Sequence, residues 1–159
     1  MTETLSRSAA RVQAALAAAG LEARVVELPG STRTAAEAAA AIGCEVAQIA
    51  KSLVFRGRES NEPILVIASG TNRVNEARIA AAAGEAIGKA DAEFVRERVG
   101  FAIGGIPPLG HDTPLRTFLD EDLLRFERIW AAAGTPHAVF ELSPTDLPRL
   151  TGGRVITIT

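Results

Sequence analysis

The chain has 159 residues, 47% of them hydrophobic and 23% charged, with a formal net charge of −2. Length and apolar content fit one domain with a real core, read as a single unit over residues 1–159. The slightly acidic balance excludes a protein that coats nucleic acid through bulk charge, but leaves room for recognition of one nucleic-acid end.

The single cysteine, Cys44, leaves no intrachain disulfide. Two histidines, His111 and His137, are too few for a dedicated zinc site, so neither a metal nor a cofactor is expected. No apolar run approaches a membrane span. The N-terminal stretch MTETLSRSAARVQ lacks the apolar core of a secretory signal. A cytoplasmic protein with no membrane partner is the expectation.

Residues 6–19 predict a helix stopped at Gly20, with Val12 and Leu16 on one face. Residues 24–28 predict a strand closed by Pro29-Gly30. Thr34-Ala35-Ala36-Glu37 reads as a capping box, opening an alanine-rich helix that stops at Gly43. The next strand, residues 49–56, carries the most information. Alternation puts Ile49, Lys51, Leu53 and Phe55 on one face and Ala50, Ser52, Val54 and Arg56 on the other. Lys51 therefore stands alone among apolar side chains. An unpaired buried ammonium is costly, so Lys51 either snorkels to the surface or lines a cavity for an anion or a carbonyl.

A polar loop at residues 57–63 leads to an apolar strand at 64–68, then a turn at Ser69-Gly70-Thr71-Asn72. Asn75 and Asp91 are candidate caps for helices stopped at Gly84 and Gly100. Residues 101–103 predict a strand, and residues 115–119 another, followed by a short helix at 121–126. Residues 128–132 and 137–142 predict two strands joined by the turn Gly134-Thr135-Pro136. Ser143-Pro144 starts a helix, and residues 154–158 close the chain as a strand. Seven or eight strands with hairpins argue for an antiparallel or mixed sheet. There is no GxGxxG, GxSxG, P-loop or HExxH motif, so conventional nucleophile and dinucleotide machinery is absent.

The loop GFAIGGIPPLGH, Gly100 to His111, has four glycines and two prolines in twelve positions. Gly104-Gly105 leaves backbone amides without side-chain cover, and Pro107-Pro108 stiffens the exit. A loop of this kind either connects strands tightly or presents amides to a ligand oxygen. A side chain at Gly105 is expected to intrude where a ligand meets backbone.

Four separated blocks, in order, resemble the YbaK/EbsC family of prolyl-tRNA-synthetase-associated, or aminoacyl-tRNA editing, domains. They are TAAEAAAAIGCEVAQ followed by IAKSLVF, then LVIASGTNRVN, GFAIGGIPPLGH and FLDEDLLRFERIWAAAGTPHAVFELSP. The resemblance runs from about residue 24 to residue 159. It implies an α+β fold, a curled, barrel-like and mostly antiparallel or mixed sheet surrounded by helices. It also implies a free-standing deacylase that cleaves the ester of mischarged tRNA, tRNA(Pro) or a related tRNA bearing a small wrong amino acid. The implied partners are the tRNA acceptor end and an aminoacyl-tRNA synthetase, with no DNA.

The family's key lysine falls on Lys51 and its glycine loop on Gly104 to Gly110. A histidine found in some members falls on His137. On this reading Lys51, Gly104 and Gly105 are catalytic, and Ser52, Ile106, Pro107, Gly110 and His137 bind substrate. The loop amides would take the charge on the carbonyl oxygen, and Lys51 would hold the carbonyl or the terminal phosphate. The substrate's own ribose hydroxyl would orient water, so no protein nucleophile is needed. A second reading is a non-catalytic module that recruits tRNA or a synthetase. Lys51 together with the glycine loop favours the enzyme.

Overall fold

The computed structural model describes residues 5–159; residues 1–4, part of the N-terminal stretch read for a signal, lie outside it. Five α-helices surround one mixed sheet of eight strands. Helix α1, Arg7–Ala18, is capped by the Ser6 hydroxyl and buries Ala9, Val12 and Leu16. Its Gln13 side chain takes the Val25 amide and donates to the Ala23 carbonyl. That contact is why the strand expected at 24–28 shrinks to β1, Val26–Glu27: backbone groups that would join a ladder are spent on the helix.

Helix α2, Ala35–Ile42, has the expected box, with Thr34 Oγ1 accepting from the Glu37 amide and the Glu37 carboxylate accepting from the Thr34 amide. After a 3₁₀ turn come β2, Ile49–Gly57, and β3, Pro63–Ser69, a hairpin in register from Ala50↔Ser69 to Arg56↔Pro63. All of β3 is buried, because the sheet is covered on both faces. Leu65 and Ile67 join the large core with α1 residues, while Ile64, Val66 and Ala68 pack towards α3, Glu76–Ala83.

Strand β4, Ile87–Lys89, follows, then α4, Ala92–Val99, capped by Asp91. The chain continues through β5, Arg116–Asp120, a 3₁₀ turn, β6, Ile129–Ala132, and β7, Ala138–Leu142. Helix α5, Leu147–Thr151, and β8, Arg154–Ile156, complete it. The ladder runs β1-β7-β6-β2-β3-β5-β8, with β4 as an extra partner of β2. The β2–β6, β3–β5 and β5–β8 pairings are parallel and the rest antiparallel. No described helix is long and apolar enough to cross a membrane.

Residues 101–103 form no strand. Phe101 is buried, and the Gly105 amide closes a turn on the Ala102 carbonyl at 3.1 Å. Gly104 adopts φ +95°, which a strand residue does not. Gly105 packs against the β6–β7 turn: a Cβ there would lie 2.7 Å from Thr135 backbone atoms, and its carbonyl accepts from the Gly134 amide at 2.8 Å.

Two expectations follow. Gly105→Ala forces a methyl into backbone that is itself hydrogen-bonded, so urea unfolding should show a loss of about 1–3 kcal/mol; an unchanged midpoint would contradict this packing. Glu85 accepts from the Ser60 and Glu59 amides, the Ser60 hydroxyl and the Arg116 guanidinium. The Ser60 amide first, then Arg116, hold its carboxyl down at about 2, from an ordinary 4.5. Its stabilising effect is complete above the ordinary value and lost as pH falls towards about 2. Glu85→Gln should therefore unfold more easily than wild type at pH 7, with the gap closing as the pH is lowered through that window; a pH-independent gap would refute the assignment.

Candidate active site

Strand β2 has β3 along one edge for its whole paired length. On the other edge β6 pairs only with Ile49 and Ala50, and β4 only with Phe55 to Gly57. Among the described residues, Lys51 to Val54 have no strand partner there. Alternate residues of a strand turn their N–H and C=O to opposite sides, so two of these four present both groups to the opening.

A cavity of about 450 Å³ lies at this opening. Its walls are largely apolar and combine small residues, such as Ala35 and Ala38 of α2, Ala50 of β2 and Ala131 of β6, with larger ones such as Ile49 and Trp130. Lys51, Ser52, Gly104 and Ile106 line it. The Lys51 ammonium is half-buried and reaches the Gly70 carbonyl at 3.4 Å, a long contact. Burial pushes its pKa below the usual lysine value, and the charge of Asp120 pulls it part of the way back.

Asp120 is 2% exposed and fully engaged. One carboxylate oxygen accepts from the Ser69 amide at 2.9 Å and the Asn72 side-chain amide at 2.8 Å; the other accepts from the Asp122 amide at 2.9 Å. These bonds fix the turn that carries Gly70, and so fix where Lys51 rests. The sequence reading passed over Asp120. The one signal was an acid ending an otherwise buried strand, RTFLD.

The segment 28–34 forms the opposite wall, contributing Thr32, Arg33 and Thr34. The Leu28 amide donates to the His137 carbonyl at 2.7 Å, and the Thr32 amide to the Pro136 carbonyl at 2.6 Å. His137 Nδ1 lies 2.9 Å from the Gly30 carbonyl, as a donor in that tautomer. Its ring is exposed and fastens this segment from outside, without lining the cavity. Arg33 packs its aliphatic stem against Gly104, where a Cβ would come within 2.9 Å. The hydroxyls of Thr32 and Ser52 are buried without a hydrogen-bond partner among the described residues. Thr32 and Arg33 were also missed, because their place is set by a contact with residue 136 that no local pattern announces.

Three expected loop contacts fall elsewhere. Gly105 faces Thr135, and its amide is already used by Ala102, so a side chain there would strike backbone and not a ligand. Pro107 is buried, and its carbonyl accepts from His111 Nε2 at 2.7 Å. Burial holds the His111 ring below its usual pKa, consistent with a neutral ring donating to that carbonyl. The Gly110 carbonyl accepts from Arg11 of α1 at 2.7 Å. These residues brace the loop from behind. Among the described residues the Gly104 and Ile106 amides have no acceptor, and both residues are on the cavity wall.

Residues 30–150 match the model of the aminoacyl-tRNA editing domain. The chain is 32% identical over 131 residues to the "Uncharacterized protein YwhH" of Bacillus subtilis, covering 82% of this chain and 83% of that one. It is 26% identical over 127 residues to the "Putative Cys-tRNA(Pro)/Cys-tRNA(Cys) deacylase EbsC" of Enterococcus faecalis, covering 79% and 77% of the two chains. A solved structure described as a "putative trans-editing enzyme for prolyl tRNA synthetase" superposes with a TM-score of 0.92 at 50% identity, over 98% of this chain and 99% of that one. The sheet with its surrounding helices, the Lys51 cavity and these similarities agree: the chain belongs to the aminoacyl-tRNA editing domain family.

Proposed function

We propose that the chain is a free-standing deacylase that hydrolyses the ester joining a wrong amino acid to the terminal adenosine of a tRNA. The observation that carries this reading is the half-buried Lys51 ammonium at a largely apolar cavity edged by free strand backbone. An aminoacyl ester is already activated, so a site without a nucleophile suffices. Water attacks the ester carbonyl carbon, the carbon–oxygen bond to the ribose breaks, and free amino acid and tRNA with its hydroxyl restored leave.

Lys51 meets the carbonyl oxygen or the terminal phosphate by charge. The amides of Gly104 and Ile106 receive the negative charge that develops on the carbonyl oxygen. The neighbouring ribose hydroxyl and a carbonyl of the open β2 edge orient the water. Ser52 and Ile106 touch the aminoacyl group, while Gly105, Pro107 and Gly110 hold the loop in shape. His137 acts by holding the Gly30–Thr34 segment over the cavity. The apolar walls screen by size, an effect worth only about 1–3 kcal/mol per methylene. The relatives named for Cys-tRNA(Pro)/Cys-tRNA(Cys) and for prolyl-tRNA synthetase are consistent with tRNA(Pro) as substrate and a synthetase as partner.

The test is single-turnover deacylation of tRNA charged with alanine, serine, cysteine, threonine or proline. Wild type should clear at least one of them. Lys51→Ala should lose about 10²–10³-fold, the scale of one missing contact to the developing charge, while melting as wild type. His137→Ala should lose about tenfold or less, roughly 1.4 kcal/mol of barrier. A folded Lys51→Ala protein with undiminished rate would end the lysine's role. If His137→Ala is as inactive as Lys51→Ala, and the wild-type rate follows a single ionisation that the variant lacks, the histidine is a general base and the substrate-assisted mechanism fails. Binding of tRNA with no ester cleaved would return the chain to a non-catalytic module.

A further inference from the structure

Beyond the cavity, β2 ends in a cluster of positive charge. The Arg56 and Arg98 guanidinium carbons lie 5.0 and 5.4 Å from the centroid of the Phe94 ring. The two cations are thus no more than about 10 Å apart, within a Debye length of about 8–10 Å or close to it at physiological salt. Arg58 joins them. Its Nε donates to the Ile87 carbonyl at 3.2 Å, and its side chain lies over Gly88, where a Cβ would come within 3.2 Å of that nitrogen. Gly88 is the ladder partner of Arg56, so Arg56 and Arg58 share a face of the sheet. All three arginines are exposed.

None of the three has a carboxylate within 4.0 Å among the described residues; the ion pairs there use Arg11, Arg116, Arg125, Arg128 and Arg149. Arg56 spends one donor on the neutral Asn61 side chain and Arg58 one on a carbonyl. A guanidinium has five N–H donors, so most remain for a ligand. In a chain of net charge −2, three unneutralised cations gathered on one surface repel each other unless an anion joins them.

The cluster is in line with the cavity. Ser52, Val54 and Arg56 point to the same face of β2, and Ser52 lines the cavity. Arg56 lies four residues further along, about 13 Å at strand rise. The unpaired edge of Lys51 to Val54 leads from the cavity towards Arg56. Helix α4, which bears Phe94 and Arg98, leads straight into the loop that brings Gly104 to the cavity.

We propose that Arg56, Arg58 and Arg98 form a phosphate-binding surface that grips the backbone of the tRNA acceptor strand upstream of the 3′ nucleotide seated in the cavity. This rests on the deacylase reading for its occupant. The guanidiniums form forked contacts to phosphate oxygens and carry no sequence information, so they set the register of the strand and leave discrimination to the cavity.

The experiment uses the full chain and an uncharged RNA hairpin ending in CCA, followed by fluorescence anisotropy across a salt series. Because no ester is cleaved, its outcome is independent of the deacylation result. The Arg56→Gln, Arg58→Gln, Arg98→Gln triple variant should bind about tenfold or more weakly at 0.1 M salt. Its log–log salt slope should be shallower by about two to three, given about 0.7–0.9 per phosphate contact. A control triple, Arg24→Gln, Arg78→Gln, Arg154→Gln, removes the same charge from other surfaces and should keep the wild-type slope. Arg58→Glu alone, which leaves the Phe94 contacts intact, should reproduce most of the loss. Equal losses in both triples, an unchanged slope in the first, or no binding of the hairpin by wild type would overturn the proposal. So would competition by free inorganic phosphate at millimolar concentration as effective as that by the hairpin.

Discussion

A strand inside a sheet ordinarily spends its N–H and C=O groups on both neighbours, because a buried group left unpaired is costly. β2 meets that demand along β3, but its other edge is divided between β6 at one end and β4 at the other. The stretch from Lys51 to Val54 is left between them. Closing this opening with a ninth strand would erase the cavity; shifting β2 by one residue would turn Lys51 away from it. The long β2–β3 register, seven pairs deep, prevents that slip.

The same strand sets the electrostatics. Desolvation works against the Lys51 charge, and the buried Asp120 works for it. Asp120 can do so without forming an ion pair because its own oxygens are occupied by the Ser69, Asn72 and Asp122 donors. Among the described residues the ammonium has one acceptor, the Gly70 carbonyl, held at a long 3.4 Å. A tight salt bridge would have neutralised it for any incoming oxygen. The Thr32 and Ser52 hydroxyls, buried and without a hydrogen-bond partner among the described residues, add polar groups to the same cavity.

Local chemistry was the legible part of the sequence. The caps at Thr34, Asn75 and Asp91 depend on contacts two or three residues away, and all three form. Alternation placed Lys51 on its own among apolar neighbours. Strand β4 escaped notice because it has only three residues, one of them Gly88, and exists through pairing with β2 thirty residues earlier. The composition of the glycine loop marked it as unusual without telling which glycine faces a ligand. Gly104 lines the cavity while Gly105 packs on Thr135, a difference set by residues 30 positions away. Asp120 and Thr32 reach the site through bonds of the same long range.

We propose that Lys51 is a partly desolvated ammonium that receives an oxygen of the substrate. Side-chain NMR titration of Lys51, in the free protein and with a non-hydrolysable amide analogue of an aminoacyl-adenosine phosphate, tests it most directly. The free ammonium should titrate below the ordinary 10.5, and the bound form at a higher pH than the free one. A Lys51 that titrates at its ordinary value and does not respond to the analogue would contradict the account.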